Sequence, residues 1–71
     1  MKMENREKFT AFCEQEYKLA VSAIAKPYYS PMRVVEATEQ RCLGAYYFLN
    51  DSRLEEIYAY YKEKLEKLLT D

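Results

Sequence analysis

No histidine occurs anywhere in this chain of 71 residues, and glycine occurs once, proline twice and cysteine twice. Each shortage removes a class of chemistry. Histidine is the most frequent general base and the most frequent metal ligand, and two thiols without it do not make a zinc site. Gly44 stands alone in a helical stretch, so no glycine-rich loop can cradle a phosphate. The serines are Ser22, Ser30 and Ser52, and the last two stand where helix caps are expected, which leaves no visible nucleophile–base pair. Glu36, Glu39, Glu55 and Glu56 are numerous enough for a carboxylate-bridged metal bundle, but such bundles use a Glu-x-x-His spacing that this chain cannot supply. The expectation is a protein that is not an enzyme, with no cofactor, no metal and no small-molecule substrate.

A block of one charge is missing too. Eleven basic and twelve acidic residues are interspersed along the whole length, which favours neither nucleic acid nor an anionic membrane surface as partner. The longest apolar run, Cys42 to Leu49, is far short of the roughly 20 residues that a spanning helix needs. The start, Met1 to Lys8, is charged throughout and unlike a signal peptide. With so few cysteines, a reducing compartment is indicated, and cytoplasm is the expected location. One domain over 1–71 lies near the lower size limit for a core that is stable without a staple, so a partner subunit would help.

What the chain does have is helical periodicity and tyrosine. It is organised around residues 42–61, which hold six of the eleven aromatics and read as the end of one helix, a tight break and the start of the next. A first helix is expected over about 4–26: Phe9, Cys13, Ala20 and Ile24 share a face, Phe12, Leu19 and Ala23 lie along one edge, and Tyr17 lies along the other. Glu14, Lys18 and Ser22 point away, with Glu4–Lys8 and Glu14–Lys18 spaced as supporting ion pairs. Pro27 breaks this helix, and Ser30-Pro31 is a cap and first-turn pair for a second, over 31–49. Its core face is Val35, Thr38, Cys42, Ala45, Tyr46 and Leu49, with Val34 and Phe48 flanking and Arg33, Glu36, Gln40 and Tyr47 outward. Gly44 serves either close helix approach or a surface position, at up to about 1 kcal/mol of helix propensity. Asn50 suits a left-handed stop, and Ser52-x-x-Glu55 has the form of a capping box for a third helix over 53–69 with the seam Leu54, Tyr58, Tyr61, Leu65 and Leu68. Residues 70–71 are expected to fray. The fold class expected is all-α, a three-helix up-down-up bundle, with completion by dimerisation through the first or third helix as the alternative.

The tyrosines carry the functional expectation. Tyr46, Tyr58 and Tyr61 fall on apolar faces, whereas Tyr47 and Tyr60 project off them and Tyr28 and Tyr29 sit in the loop between the prolines. Amphipathic rings of this kind contribute contact area at low entropic cost. Tyr28, Tyr29, Tyr47 and Tyr60 are therefore the candidate interface residues, against the plainer reading that each ring lies over its neighbours with its hydroxyl in water. Glu16 falls inside an apolar sector and needs a partner, with Arg41 or a tyrosine of the third helix within reach in a hairpin of the first two. Cys13 and Cys42 face one another in the same hairpin as small buried hydrophobes rather than a disulfide. The reading is a non-catalytic helical protein-protein interaction module that self-associates as a homodimer or binds another protein. The alternative is a small DNA-binding regulator using the second and third helices as a helix-turn-helix. That reading is weakened by Asp51, Glu55 and Glu56 at the end that would enter the groove.

Overall fold

The computed structural model describes residues 4–70, all of them in helices or the short connections between them. Asp71 of the expected tail and the first three residues lie outside that range. Helix α1 spans Asn5–Ile24, α2 spans Pro31–Leu49, and α3 spans Glu55–Glu66, with single 3₁₀ turns at Ser52–Leu54 and Lys67–Leu69 before and after α3.

Local chemistry fixes these boundaries. Beyond Ile24 the chain tightens, with Lys26 N–H bonding Ala23 O at 3.0 Å, so α1 stops two residues short of the expected Lys26. Pro31 occupies the first turn of α2, where its missing N–H costs nothing. Asn50 closes α2 in the left-handed conformation, φ 50° and ψ 50°, its N–H bonding Tyr46 O at 3.1 Å. The two expected serine caps are not made. Ser30 makes no side-chain cap bond, and the start after α2 is capped one residue early, by Asp51. The Asp51 carboxylate accepts the Arg53 N–H at 3.0 Å and is clamped by the Arg53 guanidinium at 2.7 Å. That clamp, with Leu54 N–H on Asp51 O at 3.0 Å, winds Ser52–Leu54 as 3₁₀ and displaces the Ser52–Glu55 box.

The side chains that meet give the topology. One buried cluster joins Phe9 and Cys13 from the first half of α1, Cys42 from the second half of α2, and Leu54 and Tyr61 from the start and middle of the last segment. A second joins Ala20 near the end of α1, Val35 near the start of α2, and Leu65 near the end of α3. Helices α1 and α3 therefore run parallel with α2 antiparallel between them, an up-down-up three-helix bundle 41 Å long and 21 Å across at its widest. No helix among the described residues is long and apolar enough to cross a membrane.

The core is slender. Its side chains include alanine, two cysteines and a threonine, and among the described residues eight buried hydrophobics are outnumbered by ten exposed large ones. Thr38 is buried without cost because its hydroxyl donates to Val34 O at 2.8 Å and accepts from Arg41 Nη2 at 3.2 Å. Cys13 and Cys42 are both buried thiols in mutual contact, and the hydrogen bond with Cys42, followed by burial, holds Cys13 above the ordinary thiol range. Two expected ion pairs, Glu4–Lys8 and Glu14–Lys18, do not form among the described residues. Glu14 turns toward α3 instead, accepting the Tyr61 hydroxyl at 2.9 Å with Lys64 Nζ at 3.9 Å. The i,i+4 pairs that do form are Lys62–Glu66 and Glu63–Lys67, on the outer side of α3.

Candidate functional site

Tyr46 and Tyr58 are half-buried and stacked, 6.0 Å between centroids and 18° between planes, and Tyr61 is buried, so these three belong to the packing between helices. Tyr28, Tyr29, Tyr47 and Tyr60 are all exposed, but the bundle does not bring the four together. Tyr28 and Tyr29 pack on each other, 4.8 Å apart, at the end where α1 turns into α2. Tyr47 projects from the far end of α2, beside Tyr46. Tyr60 lies over α3, edge-on to Tyr61 at 5.0 Å and with Lys64 Nζ 5.7 Å from its ring.

A larger surface emerges on the side of the α1–α2 hairpin that α3 leaves open. Along α1, Phe12, Glu16, Leu19 and Ala23 follow one another at steps of four, three and four, and along α2 Ala37, Arg41, Gly44 and Phe48 repeat those steps. Residues spaced in this way share a helix face. The two stripes border two depressions that meet at Arg41, one lined by Phe12, Gly44 and Phe48 and the other by Leu19, Ala37 and Tyr29. Of the ten exposed large hydrophobics, five lie here: Phe12, Leu19, Tyr28, Tyr29 and Phe48. Phe48 is 87% exposed, the most of any, although its sequence position suggested the flank of the core. At about 100° per residue it stands roughly 100° round α2 from the centre of the buried stripe, too far to reach it. Gly44 is exposed, and a Cβ added there would meet nothing within 4 Å, so it serves no approach of helices inside the chain.

The Glu16–Arg41 ion pair crosses the middle of this face, as the hairpin register implied. The Arg41 Nε donates to Glu16 Oε1, and the pair is one-sided in exposure, Arg41 at 52% and Glu16 at 13% of the side chain. With Thr38 taking a second guanidinium N–H, Arg41 is held flat across the groove, its charge matched. The face therefore has apolar ends and an ion-paired polar bridge at its centre, with the exposed side chains of Lys8 and Arg33 bordering the two ends.

Elsewhere the chemistry is sparse. Among the described residues no group of three or more Cys, Asp or Glu side chains could hold a metal ion. Glu39 has a buried carboxylate oxygen without a partner; burial first, and then the carboxylate of Glu66, push its pKa up. Arg53, the one basic side chain at the start of the last segment, is bound by Asp51, while Glu55 and Glu56 beside it are exposed, so the end that a helix-turn-helix would insert presents carboxylates. The sequence showed Phe12, Leu19 and Ala23 as an edge and Phe48 as a flank; only the pairing of the two helices puts them on one side. The chain matches no protein-family model, no curated protein and no solved structure.

Proposed function

We propose that the chain is a non-catalytic helical interaction module whose docking surface is the open face of the α1–α2 hairpin, working in the reducing environment of the cytoplasm. The observation that carries this reading is the gathering of Phe12, Leu19, Tyr28, Tyr29 and Phe48 on one side of a bundle whose own core is small. Contiguous exposed apolar surface of this kind marks association sites. Its rigid aromatic rings are suited to anchoring a partner. Tyr28 and Tyr29 belong to this surface, whereas Tyr47 and Tyr60 lie on other sides and contribute packing over their neighbours. DNA binding is the weaker reading, because the recognition end of α3 is acidic.

The test is a charge placed on the face. Leu19→Asp, at a half-exposed position, is expected to abolish association measured by sedimentation equilibrium and to leave the far-ultraviolet helical signal intact. Tyr47→Ala serves as the control on another side and is expected to associate normally. Equal effects of both, or an effect of Tyr47→Ala alone, would move the docking surface off the hairpin.

A further inference from the structure

The four α2 residues of the open face alternate in size: Ala37 small, Arg41 large, Gly44 small, Phe48 large. We propose that the partner is a second copy of this chain, packed with its α2 antiparallel to this one about a two-fold axis that passes between Arg41 and Gly44. The proposal rests on reading the α1–α2 face as the docking surface and adds the occupant and its register. In that register every large residue meets a small one. Phe48 seats over the partner's Ala37, and Arg41 lays its aliphatic stem over the partner's Gly44. The symmetry repeats both contacts in reverse, as an isologous interface requires.

Three observations point to a second copy rather than a foreign helix. The knob and its hole lie on the same stripe, eleven residues apart or about 16 Å along the helix, so one two-fold operation fills both holes at once. The hole lies in an open depression: Ala37 and Ala23 line it, with Leu19, Tyr28, Tyr29 and Arg33 around them, wide enough to admit an aromatic ring. Gly44 has open space where a Cβ would stand and no use inside its own chain, while its absent side chain lets a second helix approach closely. One whole side of a bundle 41 Å long and 21 Å across is of the order of the roughly 800 Å² per partner that a standard interface buries, so the dimer has to cover the α1 stripe as well as that of α2. At the centre, the Arg41 charge is already matched by Glu16 of its own chain, with one further N–H on Thr38, so the ion pair enters the interface paired.

The register is tested by exchanging knob and hole. Phe48→Ala removes both symmetry-related knobs and is expected to weaken dimerisation about 30-fold, roughly 1 kcal/mol for each of the two contacts. Ala37→Phe fills the hole and opposes two rings, with a loss of similar size. The double variant Ala37→Phe/Phe48→Ala restores a ring facing an alanine across the two-fold and is expected to recover affinity to within about threefold of the parent. No packing inside one chain gives this rescue, because the two positions are three turns apart. Recovery supports the register. A double variant as weak as the sum of its parts, with the parent still dimeric, overturns this register and leaves the interaction module standing. A parent that stays monomeric at concentrations on the order of 100 μM overturns the second copy as occupant. In every case the helical signal and thermal transition of each variant are recorded at high dilution, so that a loss of folding is told apart from a loss of association.

Discussion

Replacing Gly44 by alanine should make the isolated subunit more stable and the dimer weaker, a split that few substitutions produce. Gly44 sits inside α2, the fourteenth of its 19 residues, with helical backbone and no positive φ. Alanine there restricts the unfolded chain and removes a propensity penalty of about 0.5–1 kcal/mol. Nothing lies within 4 Å of the added Cβ, so no clash subtracts from the gain. For a domain of this size, 1 kcal/mol shifts the thermal midpoint by about 4–8 °C. In the proposed dimer the same Cβ would point at the stem of the partner's Arg41 and hold the helices apart, and Gly44→Leu should do so more severely while keeping good helix propensity. The assay is paired: thermal unfolding by circular dichroism at sub-micromolar chain, where the subunit is dissociated, and sedimentation equilibrium at high concentration. The expected outcome is a higher midpoint for Gly44→Ala and an association loss of about tenfold or more for Gly44→Leu. A lowered midpoint at dilution would mean that Gly44 is needed inside the chain. Unchanged association of Gly44→Leu would mean that α2 does not lie against a partner at this residue.

Two further outcomes concern titrating groups between the helices. Tyr61 is buried, and burial followed by its bond to Glu14 raises its pKa from 10.0 to about 12. Its folded form thus prefers the proton: that contribution to stability is fully present below pH 10 and is lost as the pH climbs toward 12. Tyr61→Phe should cost about 1 kcal/mol at neutral pH from the lost bond and should flatten the alkaline fall; an equally steep fall would place its cause elsewhere. Glu39 is raised above the ordinary 4.5 by burial, then by the neighbouring carboxylate of Glu66, with Lys62 opposing and Glu36 adding to the rise. Its contribution is present below pH 4.5 and is lost as the pH rises through the raised value. Glu39→Gln, neutral throughout, should therefore melt higher than the parent at pH 7, with the difference closing under acid; a variant that melts lower at pH 7 would mean the carboxylate is well compensated by Lys62.

How much of this was legible beforehand follows from how local each signal is. The ends of α2 were readable because Pro31 and Asn50 act on their own backbone dihedrals. The division of the tyrosines into packed Tyr46, Tyr58 and Tyr61 and exposed Tyr47 and Tyr60 followed from position on a wheel, and the partner of Glu16 followed from hairpin register. The last helical segment starts within a residue of where it is expected, but its cap is Asp51 rather than Ser52: both are good caps, and the choice falls to Arg53, whose guanidinium clamps the carboxylate. Glu14 looked solvent-facing because nothing in the sequence of α1 states the angle from which α3 approaches. The open face was visible only as two separate edges, Phe12-Leu19-Ala23 and Phe48, since a groove between helices has no signature in either helix alone.

The measurement that bears most directly on the account is the absolute mass of the parent chain in solution, by light scattering on a sizing column from about 1 to 100 μM, a range chosen to bracket the dissociation constants of modest interfaces. Self-association through the α1–α2 face predicts a mass rising from the subunit's 8.5 kDa to twice that value and no further, because a two-fold interface closes on itself. A mass that stays at 8.5 kDa throughout would contradict it, and so would one that grows without limit.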